Sequence, residues 1–204
     1  MTAGAFVFPR LAACLRPEPP GLDGAGGDHV LNRGWRPVAG GAKAAAVLIG
    51  VVARPDPTVI LTRRAAALRS HSGQIAFPGG RVDPYDASPA AAALREAEEE
   101  IGLDRARVEP LGFGDAYLSG SGYAVVPVVA RVEPGFSLVL NPNEVDEAFE
   151  VPLAFLLDEA NHELHAREWN GVVRQYYAMP FGPHYIWGVT AGILRNLHER
   201  YHRA

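Results

Sequence analysis

The chain has 204 residues, enough for one domain with a full hydrophobic core and short for two. Apolar residues make up 48% and charged residues 21%, and a formal net charge of −4 with no basic run leaves no electrostatic footprint for nucleic acid or an anionic membrane. A single cysteine, Cys14, excludes an internal disulfide, no secretory layout is visible, and the longest apolar stretch, Ala44 to Ala53, is about half of what a membrane-spanning helix needs, so the expected compartment is the cytoplasm.

In chain order, Arg10 to Leu15 is expected as a short helix. Pro17 to Gly41 collects prolines and glycines with little periodicity and reads as a loop or tether, so the expected division is an N-terminal helix and tether over 1–43 and a folded domain over 44–204. Ala44 to Val52 and Thr58 to Thr62 are apolar, partly β-branched runs around Arg-Pro-Asp-Pro, which predicts two strands and a turn, and Ser70 to Ala76 is expected to continue the sheet. Ser88 before Pro89 is an N-cap and first-turn pair, alanines follow, and Gly102 stands where a helix stops. Val108 to Tyr117 and Tyr123 to Val132 predict a second pair of strands around Ser119-Gly120-Ser121-Gly122. A short helical stretch is expected over Leu153 to Leu157. Asn170-Gly171 between Glu163–Trp169 and Val172–Met179 is a strong hairpin signal. Tyr185 to Tyr201 reads as a closing helix bearing Ile186, Val189, Ile193 and Leu197. Strands interleaved with two substantial helices predict a mixed sheet covered on both faces.

The densest chemistry lies on the helix after Ser88. Glu96, Glu99 and Glu100 stand at i, i+3 and i+4, so their carboxylates share one face, with Ala93, Ala97 and Ile101 left to pack inward. Three neighbouring anions repel. A hard cation such as Mg²⁺ or Mn²⁺, which takes oxygen ligands from carboxylates and substrate phosphates, would resolve that repulsion; a solvated acidic face is the competing reading.

The stretch ILTRRAAALRSHSGQIAFPGGRVDPYDASPAAAALREAEEEIGL, Ile60 to Leu103, decides between them. Its second half resembles the signature of Nudix hydrolases: Gly80, an acidic residue, the pairs Arg95-Glu96 and Glu99-Glu100, then Gly102 and an aliphatic residue. Its first half, Leu61-Thr62, Arg64-Ala65, Arg69, Gly73 and Phe77-Pro78-Gly79-Gly80, is similar to the extra motif of the coenzyme A diphosphatase branch. Asp86 in place of the usual first glutamate, one residue further than usual from Arg95, fits the same branch.

The resemblance implies an α/β/α sandwich with a mixed β-sheet and hydrolysis of a diphosphate bond in coenzyme A or its thioesters. The alternatives are another nucleoside diphosphate derivative, such as ADP-ribose or NADH, or a nucleotide-binding module without catalysis. It further implies that Glu96, Glu99 and Glu100 hold Mg²⁺ or Mn²⁺ and that Arg95 orients them. The base is left open between a helix glutamate, Glu99, and a carboxylate of the late loop NPNEVDE, with Glu144 ahead of Glu147. Gly79 and Gly80 let backbone approach the metal shell and substrate, and Arg64 and Arg69 are the expected cationic donors to the substrate phosphates. His71 and Gln74 lie in the motif without an assigned partner. His162, His165, His184 and His198 have no spacing that demands a metal, and Trp187 reads as core. The expected partner is a small molecule, with neither nucleic acid nor membrane; the sequence leaves the oligomeric state open, with a homodimer as one option.

Overall fold

A computed structural model of the chain describes residues 4–23, 25–32, 41–68, 70–169 and 171–204, with side chains from residue 6 onward. The elements are α1 (Gly4–Cys14), β1 (Gly26–Gly27), α2 (Asp28–Leu31), β2 (Lys43–Val52), β3 (Thr58–Arg64), β4 (Ile75–Ala76), β5 (Gly79–Arg81), α3 (Pro89–Ile101), β6 (Val108–Phe113), β7 (Tyr117–Leu118), β8 (Tyr123–Val132), β9 (Val145–Pro152), α4 (Leu153–Leu156), β10 (Glu163–Trp169), β11 (Val172–Phe181), β12 (His184–Trp187) and α5 (Val189–Arg203).

β2 is the axis of the molecule. It runs parallel to β8 from Lys43↔Tyr123 to Val52↔Val132, and its other edge is shared by β5 near its start and β3 near its end, both antiparallel. β4 and β9 pair β3, and β6 and β7 pair β8, giving a mixed nine-stranded sheet beside a three-stranded sheet of order β10-β11-β12. Side-chain alternation divides the core in two. Ile49, Leu61 and Val129 face α1 and α5, packing on Leu11, Leu15, Ile193, Leu194 and Leu197, while Leu48, Ile60 and Val128 face α3, packing on Ala93, Ala97 and Ile101. Helices therefore cover both faces of a mixed sheet, as the sequence predicted.

α3 has the ends its sequence specifies. Ser88 Oγ accepts the Ala91 N–H at 3.1 Å, Pro89 occupies the first turn, and Gly102 turns left-handed at φ 65° while its N–H reaches the Glu98 carbonyl at 2.9 Å. The Asn170-Gly171 hairpin joins β10 and β11 with the expected pairing of Trp169 to Val172, although Asn170 itself lies outside the described residues.

Six local expectations change, the first being that Val108 to Tyr117 is two strands, β6 and β7, interrupted at residues 114–116, where the Gly114 N–H turns to the Pro127 carbonyl. α1 begins at Gly4 and runs through Pro9 instead of starting at Arg10. The span read as a tether contains β1 and α2 among its described residues; residues 24 and 33–40 lie outside them. It is fastened by side chains that hydropathy does not register. The Asp28 carboxylate accepts from Tyr117 Oη at 2.7 Å and from the Gly120 N–H at 2.6 Å, and Asn32 exchanges two hydrogen bonds with the Gln175 backbone. Between Ser70 and Ala76 only Ile75 and Ala76 are strand, because His71 and Gly73 adopt positive φ of 57° and 69° and bend the chain. Acidic residues read as a loop begin β9, where Glu147 and Glu150 find cations on β3 and its turn. Tyr185 to Trp187 belong to β12, and α5 starts only after Gly188, whose φ of 64° breaks the apolar run in two.

Candidate functional site

The acidic face of α3 is organised by one guanidinium. Arg95 Nε and Nη2 bond both oxygens of Asp86 at 3.1 and 3.0 Å, Nη2 also donates to the Arg81 carbonyl at 3.1 Å, and Nη1 reaches Glu96 at 2.9 Å and Glu99 at 3.1 Å. The planar fork thus spans three carboxylates and one carbonyl, a geometry unavailable to an ammonium. Asp86 is held well below the usual carboxylate range by Arg95, and the Arg95 guanidinium is correspondingly shifted up, chiefly by Asp86. Sequence reading gave Arg95 its orienting task. It missed Asp86 as the anchor, whose signal is its place just before the Ser88 cap, where the turn folds back onto the second turn of α3.

Glu96 and Glu100 point toward the β5 turn. A Cβ at Gly80 would collide with the Glu96 carboxylate, and one at Gly79, where φ is 153°, would collide with the Ala46 carbonyl oxygen. Glycine at both positions is what lets α3 lie against β5 with a carboxylate between them. Glu100 is buried, 3% exposed, and accepts the Gly79 N–H at 3.1 Å. Burial pushes its carboxyl up to about 7, against the pull of the Gly79 N–H and Arg64, with Glu96 and Glu144 adding repulsion. Glu96 is raised for the same leading reason, burial, with Glu99 and Glu144 opposing the help from Arg95. Glu99 projects outward, its side chain 55% exposed.

The late loop is laid across the C-terminus of α3. The N–H groups of Val139 and Asn141 donate to the Ile101 and Glu100 carbonyls, each at 2.9 Å, and the Glu144 carbonyl accepts the Ala65 N–H at 2.8 Å. This brings the Glu144 carboxylate near enough to repel Glu96 and Glu100. Glu147 goes elsewhere: on β9 it is engaged by Arg63 at 2.8 Å and His184 at 3.1 Å, with His184 stacked on Phe149 at 3.6 Å between ring centroids. Arg63 and Arg64 leave β3 on opposite sides. Arg64 Nη1 stands 3.5 Å from Glu100, and Arg69 lies outside the described residues. His71 Nδ1 and Gln74 Oε1 pair with each other at 2.9 Å, Trp187 is half-buried against Tyr176, and His162 and His198 contact the Leu156 and Leu157 carbonyls, away from the acidic face.

The donor set fits a hard divalent cation. It is all oxygen, it is anionic, and burial together with the neighbouring carboxylates raises the proton affinity of Glu96 and Glu100, a strain that a cation relieves. Among the described residues no three acidic, histidine or cysteine side chains converge into a ready cage. Arg95 draws Glu96 and Glu99 toward itself while Gly79 and Arg64 hold Glu100, and Mg²⁺ commonly uses one or two carboxylates with waters and phosphates instead of a complete protein cage. No helix among the described residues is long and apolar enough to cross a membrane.

The NUDIX domain model matches residues 42–173. The chain is 44% identical over 156 residues to the uncharacterized Nudix hydrolase NudL of Photorhabdus laumondii, covering 76% of this chain and 83% of that protein. It is 41% identical over 158 residues to the protein of the same name from Yersinia pestis, covering 78% and 79%. Among solved structures, the MutT protein from Methanosarcina mazei Go1 superposes with a TM-score of 0.50 at 20% identity, over 79% of this chain and 93% of that one, a likeness of fold.

Proposed function

The chain belongs to the Nudix hydrolase family, and on that premise we propose that it cleaves the diphosphate bond of coenzyme A or its thioesters, releasing 3′,5′-ADP and 4′-phosphopantetheine or its acyl form. The observation that carries this reading is the placement of Arg64, from the segment resembling the coenzyme A branch motif, 3.5 Å from the buried Glu100 of α3. That contact supports a reading in which the segment proposed to choose the substrate and the helix proposed to carry the chemistry act together.

In this proposal Glu96, Glu99 and Glu100 hold Mg²⁺ or Mn²⁺, which would neutralise phosphate charge and make a water more acidic. Arg95 fixes Glu96 and Glu99 through the bonds already described, so their positions do not depend on the cation alone. Arg64, whose Nη1 stands 3.5 Å from Glu100, donates to non-bridging oxygens of the diphosphate. Glu144 accepts the proton of the attacking water as the new P–O bond forms and the bridging P–O bond breaks, with Glu99 as the helix alternative. Gly79 and Gly80 keep this floor open to within a backbone's thickness of the carboxylates. The protein is proposed to work in the cytoplasm on this small molecule alone.

The test is a hydrolysis screen over coenzyme A, acetyl-coenzyme A, ADP-ribose, NADH and nucleoside triphosphates, with products identified by mass. Coenzyme A or a thioester should give the highest kcat/KM and yield 3′,5′-ADP. Equal or faster turnover of ADP-ribose or NADH would replace the coenzyme A assignment, and release of inorganic phosphate or pyrophosphate would remove it.

A further inference from the structure

β10 is the outer strand of the smaller sheet. β11 pairs it along one edge, and among the described residues no strand pairs the other. Two residues connect Trp169 to Val172, which makes that pair the hydrogen-bonded one of a two-residue hairpin. Alternation along the ladder then turns the N–H and C=O groups of Leu164, Ala166 and Glu168 away from β11, toward the open edge.

Natural edge strands discourage a second strand by several devices, among them proline, bulges and charged side chains, lysine above all; of these β10 carries only charges. β10, ELHAREW, has no proline or lysine over its seven residues, and its pairing to β11 runs without a register shift. Its charges are ordered differently from a protective row. Glu163 and Arg167 project from one face, four residues apart, with Ala166 near the midpoint of the strand. Arg167 is exposed and meets no acidic side chain among the described residues, whereas Glu163 pairs with His165 at 2.7 Å.

We infer that a second copy of this chain adds antiparallel to β10 about a twofold axis through Ala166, joining the two three-stranded sheets into one. In this register Ala166 exchanges both backbone hydrogen bonds with the partner's Ala166, and Leu164 does so with the partner's Glu168. Each Glu163 falls on the diagonal from the partner's Arg167, an opposite-charge pair that symmetry makes twice. The small side chain at the axis lets the strands close. Trp169 and Leu164, 55% and 52% exposed in the single chain, gain a neighbouring strand.

Other registers lose one of these features. An axis at His165 or Arg167 would oppose backbone groups already committed to β11. An axis at Glu168 would set two like charges face to face, and one at Leu164 would leave Arg167 beyond the end of the partner strand. Only the Ala166 register uses the outward groups and matches both charges.

Sedimentation equilibrium of the full chain tests this directly. Wild type should be a dimer. Ala166→Pro should be monomeric, since the N–H it deletes faces outward and the β11 ladder stays whole. Glu163→Arg and Arg167→Glu should each weaken association by about tenfold or more, and the double variant Glu163→Arg/Arg167→Glu should return to within about threefold of wild type. Far-UV dichroism and melting temperature of each variant show that the fold is retained. A wild type that stays monomeric at about 100 µM overturns the inference, as does a dimer unaffected by either single reversal.

Discussion

Replacing Glu100 with glutamine should stabilise the metal-free protein while removing activity. The carboxyl is 3% exposed and sits at about 7 in the fold against an ordinary 4.5. At roughly 1.4 kcal/mol per unit, ionising it inside the protein costs about 3 kcal/mol relative to the unfolded chain. The folded value lies above the unfolded one, so the folded state binds more protons between them. Stability therefore falls as pH rises from about 4.5 to about 7 and levels off above. Glutamine keeps an acceptor for the Gly79 N–H, and the pull of Arg64 across 3.5 Å is already contained in the value of about 7, but one of its amide positions turns a buried NH2 group toward Arg64 without an acceptor, so the net gain is about 2 kcal/mol. For a chain of this size that is a rise in Tm of roughly 4–8 °C. Scanning calorimetry in excess chelator at about pH 5 and about pH 8.5 measures it, and the advantage should be large only at the higher pH. A variant no more stable than wild type at the higher pH would refute the claim that α3 carries an electrostatic strain.

Three further outcomes are expected. Chelator should abolish hydrolysis and leave far-UV dichroism unchanged, because the core packs without reference to the acidic face; turnover that persists in excess chelator removes the cation from the mechanism. Glu144→Gln should lower kcat by about a hundredfold, while Glu147→Gln, which loses partly exposed contacts to Arg63 and His184, should stay within about threefold; the reverse ranking would move the base to β9. Arg64→Ala should reduce kcat/KM for coenzyme A and dephospho-coenzyme A by the same factor, about tenfold to a hundredfold. A loss confined to coenzyme A would mean that Arg64 meets the 3′-phosphate instead of the diphosphate.

What the sequence disclosed, and what it did not, follows from the range of the forces involved. α3 was legible because its signals are local: the Ser88 cap, Pro89, the Gly102 stop and the Ala93, Ala97, Ile101 stripe all act within a few residues. β2 and the hairpin at Gly171 were legible for the same reason. The start of β9 was not, since the acidic run NPNEVDE looks like solvent-facing loop until Arg63 is brought beside Glu147. Tyr185 to Trp187 could pass for the first turn of α5 because a short apolar run fits either period, and only the backbone of Gly188 settles it. Within the site the glutamates and Arg95 were visible as a pattern. The Asp86 anchor, the fit of Gly80 against Glu96 and the separation of Glu144 from Glu147 depend on chain crossings that no spacing expresses.

The loop across the end of α3 ties together events that are distant in sequence. The Val139 and Asn141 amides close the last carbonyls of the helix, and the same loop delivers Glu144, so fraying at one place must disturb the other. These two amides should exchange with solvent as a pair, at a rate set by a single opening. Any cation or substrate that draws Glu144 inward would slow both together. Hydrogen exchange at two backbone positions then becomes a readout of whether the acidic centre is assembled.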